Sequence, residues 1–164
     1  STLGNRPDLF PSSGYVPKYV TNPPAKYEIP AEYLSDERFA TLITEAEKYL
    51  GFPYVWGGSS PSTSFDCSGF VSYILTNSGL CDTGRLGAQG LYNISTPVSE
   101  PRPGDLVFFQ DADFSSSAAS HCGIYIGDGQ FIHATSDSRF NCVKISSFSE
   151  SYYASHFLTG RRLF

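Results

Sequence analysis

The sequence predicts an α+β fold in which a central antiparallel sheet packs against N-terminal helices. Residues 35–50 and the stretch that follows Cys67 have the pattern of helices, whereas most segments after Leu106 have the pattern of strands. Helices that precede a run of strands are typical of α+β proteins, because the two kinds of element then pack as separate layers. The 164 residues suffice for one such domain with an extension.

Residues 1–34 are expected to form an extended arm or linker, and residues 35–164 the folded domain. The segment up to Pro30 is rich in proline, serine and tyrosine and has neither helical nor strand periodicity. The segment contains more tyrosine than is usual for a flexible linker. The arm is therefore expected either to lie along the domain, where it would restrict access to the cleft, or to tether a neighbouring domain.

Residues 35–50 form the clearest helix. Its apolar residues recur at helical spacing and lie on one face: Phe39, Leu42, Ile43, Ala46 and Leu50. Ser35 is expected to cap the start of the helix. Gly51 suits the position just past its end, and Pro53 prevents its continuation. The helix is expected to support the loop that follows.

That loop, residues 54–64, contains Tyr54, Trp56 and the pair Gly57-Gly58. The two glycines allow the backbone to approach a bound chain closely. Trp56 is the only tryptophan. We favour a place for it in the core, and the alternative is that it forms a wall of a binding site. Tyr54 combines an apolar ring with a polar hydroxyl, so it can donate a hydrogen bond in such a site.

Cys67 stands where this loop becomes a second helix. The N–H groups at a helix start have no internal partners, and the helix dipole is positive there, so this position favours the thiolate, which is the nucleophilic form. The alternative is a small buried hydrophobic residue. Asp66 and Ser68, on either side, are expected to cap the helix start.

Two histidines supply the other groups that a cysteine nucleophile needs. A thiol requires a nearby base, and the base requires a third group that orients its ring. His121 and His133 can fill these roles, since a cysteine and a histidine that are distant in sequence are expected to meet in the fold. The third histidine, His156, is expected at the surface.

The two histidines meet only if the turn between their strands has the right length. Four strands are expected at residues 121–126, 130–134, 142–145 and 157–163. If residues 127–129 form a three-residue loop, Ile126 pairs with Gln130, and the histidines become diagonal neighbours on one face, about 7–8 Å apart. A two-residue turn would place them on opposite faces. The expected site therefore requires the longer loop.

The remaining segments are expected to be structural. Residues 85–91 are interpreted as a short helix, residues 101–105 as a turn and residues 106–109 as a strand. Residues 110–120 are interpreted as a surface loop. Its Asp111 and Asp113 resemble part of a calcium loop that lacks the required glycine and distal glutamate, so no metal site is expected.

The four cysteines are expected to be free: Cys67, Cys81, Cys122 and Cys142. A chain of this length does not need disulfides, and no Cys-x-x-Cys pair of zinc-binding spacing is present. A single bridge from Cys142 to Cys81 or Cys122 is the alternative. Strand alternation places Cys122 on the face opposite His121, so Cys122 is expected in the core.

Composition argues against a nucleic-acid partner. The formal net charge is −5 and the 11 basic residues form no run, so no nucleic-acid partner is expected. No apolar stretch is long enough to span a membrane. Because the chain begins at Ser1 and contains no methionine, it is expected to be a processed protein or an excised piece.

Five motifs together resemble the NlpC-type family of bacterial cell-wall cysteine peptidases. In chain order they are Tyr-Val-Trp-Gly-Gly from Tyr54, Phe-Asp-Cys-Ser-Gly-Phe from Phe65, Pro-Gly-Asp-Leu-Val-Phe-Phe from Pro103, Ser-His-x-Gly-Ile-Tyr-Ile-Gly from Ser120, and Phe-Ile-His-Ala from Phe131. The resemblance covers about residues 36–164. Within the family, the chain looks most like endopeptidase modules of cell-wall hydrolases from conjugative elements.

The resemblance implies a papain-like fold and a secreted or membrane-tethered bacterial enzyme without a cofactor. The implied activity is cleavage of the peptidoglycan stem peptide between D-isoglutamate and the diamino acid, by the triad Cys67, His121 and His133. Tyr54 is implied to assist at the catalytic centre. The alternatives are an amidase or acyltransferase with the same triad, and an inactive cell-wall-binding module.

The substrate-binding residues are expected to be Asp66, Ser68, Trp56 and Arg85, the first two by resemblance. Arg85 would bind a substrate carboxylate or lie solvated at the surface. Related proteins often carry serine or threonine two positions after this arginine, whereas this chain has Gly87, which departs from the family pattern. We expect a monomer, with a tethered cell-wall hydrolase domain on its N-terminal side.

Overall fold

The computed structural model describes residues 28–110, 119–136 and 141–164. A short 3₁₀ helix at Tyr33–Ser35 precedes the helices α1 (Glu37–Glu47), α2 (Cys67–Asn77), α3 (Ala88–Asn93) and α4 (Ser151–His156). The strands are β1 (Ser59–Ser60), β2 (Ser64–Phe65), β3 (Thr96–Val98), β4 (Leu106–Phe109), β5 (His121–Gly127), β6 (Gln130–Ala134), β7 (Val143–Ser147) and β8 (Phe157–Arg162). None of the helices in these ranges is both long and apolar enough to cross a membrane.

Six of the strands form one antiparallel sheet in the order β3-β8-β4-β5-β6-β7. This arrangement confirms the predicted α+β fold. β3 and α4 were not predicted. β3 is a three-residue edge strand that contains Pro97, and proline is confined to such edges, so it leaves little signal in the sequence. α4 is only six residues long, too short for an apolar periodicity to be recognised.

The main hydrophobic core lies between α1, α2 and one face of the sheet. Its members include Phe39 and Leu42 of α1, Phe70 and Ile74 of α2, and alternate residues of β5, including Cys122 and Ile124. Each fully buried side chain of this size contributes about 1.5–3 kcal/mol to folding. The core therefore holds the first residue of α2 in a defined position against the sheet.

A smaller aromatic cluster covers the opposite face of the sheet. It joins Val107 and Phe109 of β4 and Phe131 of β6 to Tyr153 of α4. The rings of Phe131 and Tyr153 meet edge to face at 5.1 Å, an arrangement that adds to the burial energy. The unpredicted helix α4 is thus fastened to the sheet by aromatic packing.

Helix α1 begins at Glu37, and Asp36 caps it, so the prediction of Ser35 as the cap is wrong. The Asp36 carboxylate accepts hydrogen bonds from the backbone N–H of Arg38 at 3.0 Å and of Phe39 at 3.5 Å. The Ser35 hydroxyl instead donates to the carbonyl of Glu32 at 2.7 Å. Both residue types cap helices well, and the preceding 3₁₀ turn occupies Ser35.

The first described residues are packed against the domain. Ile29 and Tyr33 contact the main core, and the Tyr33 hydroxyl donates to the Asp128 carboxylate at 2.7 Å. The last part of the predicted arm therefore lies beside the β5–β6 hairpin. The rest of that arm lies outside the described residues, as do Asp111 and Asp113 of the expected surface loop.

The hairpin between β5 and β6 closes with two residues, so the predicted three-residue loop is wrong. Gly127 pairs with Gln130, and the turn consists of Asp128 and Gly129. Both turn residues have positive φ, 53° and 75°. Two-residue turns with this geometry match the natural twist of the flanking strands.

A β-bulge between Tyr125 and Gly127 compensates for the shorter turn. It adds one residue to β5, so that Ile124 pairs with Ile132. This pairing is the register that the longer loop would have produced. His121 and His133 therefore share one face of the sheet as predicted, although a different local structure brings them there.

Candidate active site

Cys67 is the first residue of α2 and lies in the wall of a cleft of about 940 Å³. The preceding residue, Asp66, caps the helix, because its Oδ1 accepts a hydrogen bond from the backbone N–H of Gly69 at 2.7 Å. Cys67 is 8 % exposed. Cys67 thus lies at a helix start, which favours negative charge on its sulfur, and at the edge of an open cleft.

Glycines allow the preceding loop to lie directly on the start of α2. A Cβ atom on Gly69 would lie 1.9 Å from the carbonyl oxygen of Gly58, and a Cβ on Gly58 would lie 2.4 Å from that of Ser64. The backbone N–H of Asp66 donates to the Gly58 carbonyl at 2.9 Å. Gly58 thus provides close contact within the chain itself, at the base of the site.

The two predicted histidines form a hydrogen-bonded pair. His121 Nε2 and His133 Nδ1 are 2.7 Å apart, and the ring planes are inclined by 72°. His121, at the start of β5, borders the cleft, whereas His133 on β6 is fully buried. Because Nε2 of His121 is engaged with His133, Nδ1 is left to face Cys67.

Sequence reasoning missed the second partner of His133. Its Nε2 lies 2.8 Å from the Oγ of Ser146 on β7. A serine in a strand gives no sequence signal of such a contact, which depends on the pairing of β6 with β7.

The pKa of the Cys67 thiol is held well below its ordinary value. The largest cause is a hydrogen bond with Cys122, followed by burial, which opposes the shift, and then by the charge and the hydrogen bond of His121. The pKa of Cys122 is correspondingly raised, first by its hydrogen bond with Cys67 and then by burial. Cys67 therefore carries the charge, and Cys122 remains a thiol.

All four cysteines are free, as expected, and neither alternative bridge is formed. Cys122 is completely buried in the main core, which also agrees with the sequence. Its contact with Cys67 was not predicted. The contact arises because the first turn of α2 packs on β5.

Asp66, Ser68 and Arg85 form one polar network beside Cys67. The Arg85 guanidinium donates to Asp66 Oδ2 at 2.8 Å and to Ser68 Oγ at 2.9 Å. The backbone N–H of Gly57 also donates to Asp66 Oδ2 at 3.0 Å. Arg85 therefore binds other side chains, and the alternative prediction of a solvated surface arginine is wrong. A substrate that binds these three residues must compete with the bonds among them.

Two distant parts of the chain supply large aromatic side chains to the walls of the cleft. Tyr54 and Trp56 lie in the loop before α2, and Tyr152, Tyr153 and His156 belong to α4. Trp56 is 86 % exposed, so the favoured prediction that it packs in the core is wrong. The core beside this loop is already filled by phenylalanines such as Phe65.

His156 is partly buried in the wall of the cleft, where a surface position was expected. Its ring stacks on Tyr152 at a centroid distance of 4.2 Å, and its Nδ1 lies 2.7 Å from the Tyr152 carbonyl oxygen. The sequence offered no signal for this stack, because α4 itself was not predicted.

This arrangement is suited to nucleophilic chemistry. A cysteine with a lowered pKa lies beside an imidazole, and a second, buried imidazole fixes the orientation of the first. Such a set can attack a carbonyl carbon and transfer a proton to the leaving group.

Comparison with known proteins agrees with the motifs. The NlpC/P60 family profile matches residues 51–162. The probable peptidoglycan endopeptidase LytE of Bacillus subtilis is 40% identical over 121 residues, which is 74% of this chain and 33% of that protein. The gamma-DL-glutamyl hydrolase of the same organism is 41% identical over 124 residues, 75% of this chain and 29% of that protein.

A solved structure from Staphylococcus aureus, described as similar to a lipoprotein of the NLP/P60 family, has the same fold. The TM-score is 0.71 at 29% sequence identity, over 98% of this chain and 55% of that chain. The present chain thus spans a third or less of the two curated relatives and about half of this structure.

Proposed function

The chain belongs to the NlpC/P60 family, and we propose that it is a cysteine endopeptidase that cleaves peptidoglycan stem peptides between D-isoglutamate and the diamino acid. One observation carries the proposal: Cys67 at a helix start shares a cleft with His121, which is hydrogen-bonded to His133. The names of the relatives, a probable peptidoglycan endopeptidase and a gamma-DL-glutamyl hydrolase, support the substrate and the bond.

In the proposed reaction, the Cys67 thiolate attacks the carbonyl carbon of the γ-D-glutamyl amide. His121 gives its Nδ1 proton to the leaving amine, the C–N bond breaks, and a thioester remains on Cys67. A water molecule then loses a proton to His121 and attacks the thioester, which releases the carboxylate and restores the thiolate. Proton transfer by a positioned histidine contributes about 10²–10⁴ to the rate.

His133 is a neutral ring in the proposed reaction, and it orients His121. Its pKa lies well below the ordinary value, first because of burial and then because of the nearby positive charges of His121 and Lys144. A neutral imidazole can accept the Nε2–H of His121 through Nδ1. Tyr54 and the backbone N–H of Cys67 are the proposed donors to the oxyanion of the tetrahedral intermediate.

We further propose that the stem peptide binds along the cleft between Trp56 and α4, in contact with Asp66, Ser68 and Arg85. The site of action is the cell wall outside the membrane. The chain acts as a monomer, joined on its N-terminal side to a second cell-wall hydrolase domain, in keeping with the greater length of its relatives.

The test is digestion of purified peptidoglycan, with products identified by mass spectrometry. The wild type is expected to release fragments that end in D-isoglutamate. Cys67→Ala is expected to release none, whereas Cys81→Ala, which removes a thiol outside the cleft, should behave as the wild type. Products cut at the N-acetylmuramoyl–L-alanine bond would identify an amidase instead. No product from walls of several chemotypes would refute the proposal and favour an acyltransferase or a binding module.

A further inference from the structure

His133 uses both of its ring nitrogens, and its second partner has no role in the reaction proposed above. Nδ1 lies 2.7 Å from His121 Nε2, and Nε2 lies 2.8 Å from Ser146 Oγ. His133 is 0 % exposed and Ser146 is 2 % exposed. Bulk solvent therefore competes little with either hydrogen bond, and buried polar groups of this kind need defined partners.

The sheet fixes the position of Ser146. On β7, Lys144 pairs with His133 and Ser146 pairs with Phe131. Strand alternation therefore places Ser146 on the same face as His133, as its diagonal neighbour. Ile145, between the two, packs against the main core on the other face. The hydroxyl group is thus held beside the histidine by backbone pairing.

In the proposed reaction, His121 as an imidazolium forms an ion pair with the Cys67 thiolate, and this pair determines where each proton must lie. An imidazolium at His121 carries protons on both nitrogens, so its Nε2–H donates to His133 Nδ1. His133 must then carry its own proton on Nε2, where it donates to Ser146 Oγ. The opposite tautomer of His133 would place two N–H groups against each other across 2.7 Å.

We propose that Ser146 is a positioning residue, which accepts the Nε2–H of His133 and thereby stabilises the tautomer that can support His121. This inference rests on the proposed function and extends the triad by one residue. Among the described residues, the titratable or charged side chains near His133 include those of His121 on β5, Lys144 on β7 and Tyr153 on α4. Burial, and then the charges of His121 and Lys144, lower the pKa of His133 and keep its ring neutral, which leaves only the two tautomers to choose between.

The variants for the test are Ser146→Ala, Ser146→Thr and Ser95→Ala. Ser146→Thr keeps the hydroxyl. Ser95→Ala is the matched control, because Ser95 is also buried and its hydroxyl donates to the Leu91 carbonyl, outside the cleft. Two readouts are needed: the tautomer of His133 by ¹⁵N NMR, and the pH dependence of Cys67 alkylation by iodoacetamide.

The wild type and Ser146→Thr are expected to hold the Nε2–H tautomer, whereas Ser146→Ala loses it. Loss of this hydrogen bond weakens the support of the imidazolium. Alkylation of Cys67 near neutral pH should therefore fall about tenfold in Ser146→Ala, and its midpoint should move to higher pH. Ser95→Ala should lower stability without moving the alkylation profile.

An unchanged tautomer and alkylation profile in folded Ser146→Ala would overturn the inference. So would a wild-type His133 protonated on Nδ1, a result that needs no variant and decides the matter even if Ser146→Ala does not fold. Neither readout requires cleavage of peptidoglycan. Failure of the proposed function is recognised separately, by the absence of peptide products from the wild type.

Discussion

At the scale of single residues, Cys122 has two consequences for the site. It fills a completely buried position in the core, and its thiol is hydrogen-bonded to Cys67. Two adjacent sulfurs do not ionise together at low energetic cost, because like charges repel. Cys67 has the helix start and His121 beside it, so the negative charge resides there and Cys122 acts as the donor.

Replacement of Cys122 by alanine is expected to make Cys67 less reactive. Removal of the donor raises the pKa of Cys67 toward its ordinary value, so the alkylation midpoint moves to higher pH. The rate near pH 7 should fall about tenfold, the effect of losing one hydrogen bond to a charged group. The measurement is iodoacetamide alkylation against pH, followed on the Cys67 peptide by mass spectrometry.

Cys142→Ala is the control for this change, since Cys142 is also fully buried. It should leave the alkylation profile in place while lowering stability by a similar amount. If both variants shift the profile equally, the effect arises from loosened packing and the donor role of Cys122 is wrong.

At the scale of elements, the start of α2 depends on close backbone contact with the loop before it. Gly69 approaches the Gly58 carbonyl so closely that no side chain fits between them. The Asp66 carboxylate also holds this junction together. One oxygen accepts a hydrogen bond from the helix, and the other accepts hydrogen bonds from Gly57 and Arg85. The position of Cys67 is thus set by packing on both sides of the helix start.

Gly69→Ala is therefore expected to be severely destabilising. The added Cβ meets backbone, which cannot move aside without displacing the loop or the helix, and the cost should be about 3 kcal/mol or more. Urea denaturation measures the change. Gly87→Ala provides the comparison, because its Cβ would meet nothing within 4 Å and its φ is −79°. That change should stay within about 0.5 kcal/mol. Equal losses in both variants would contradict this account of Gly69.

At the scale of the whole molecule, a partly buried ion pair joins the last strand to the middle of the sheet. Asp105, just before β4, accepts two hydrogen bonds from Arg162 at the end of β8, each 2.8 Å long. It also accepts the backbone N–H of Arg102 at 2.9 Å. The carboxylate raises the pKa of Arg162, which keeps the guanidinium charged. The ends of two neighbouring strands are thus joined.

Asp105→Asn should lower the free energy of unfolding by about 2–3 kcal/mol, because Arg162 loses its charged partner and one of the two bonds. Asp105 is not part of the cleft, so the Cys67 alkylation profile of the folded variant should not move. Arg38→Ala removes an exposed contact of 3.8 Å with Asp36 and a contact of the guanidinium with the Phe164 ring at 5.5 Å, and should change stability by no more than about 1 kcal/mol. A moved alkylation profile in Asp105→Asn would show that this pair also shapes the site.

The sequence by itself determined the order of the longer helices and strands, the place of Cys67 at a helix start and the face shared by His121 and His133. These features follow from short-range signals: apolar periodicity, caps and strand alternation. Strand alternation predicted the shared face of the two histidines correctly, although the predicted three-residue loop was wrong. A two-residue turn with a bulge leads to the same register as that loop.

Only the tertiary structure decided the surroundings of the site. Three of its contacts join residues that are distant in sequence: the ion pair of Asp66 with Arg85, the contact of Cys67 with Cys122 and the hydrogen bond of His133 with Ser146. The exposure of Trp56 was likewise decided by the tertiary structure. The physical reason is that each depends on which surfaces pack together. A hydrogen bond between two strands or between a helix and a sheet exists only once the whole core has set their distance.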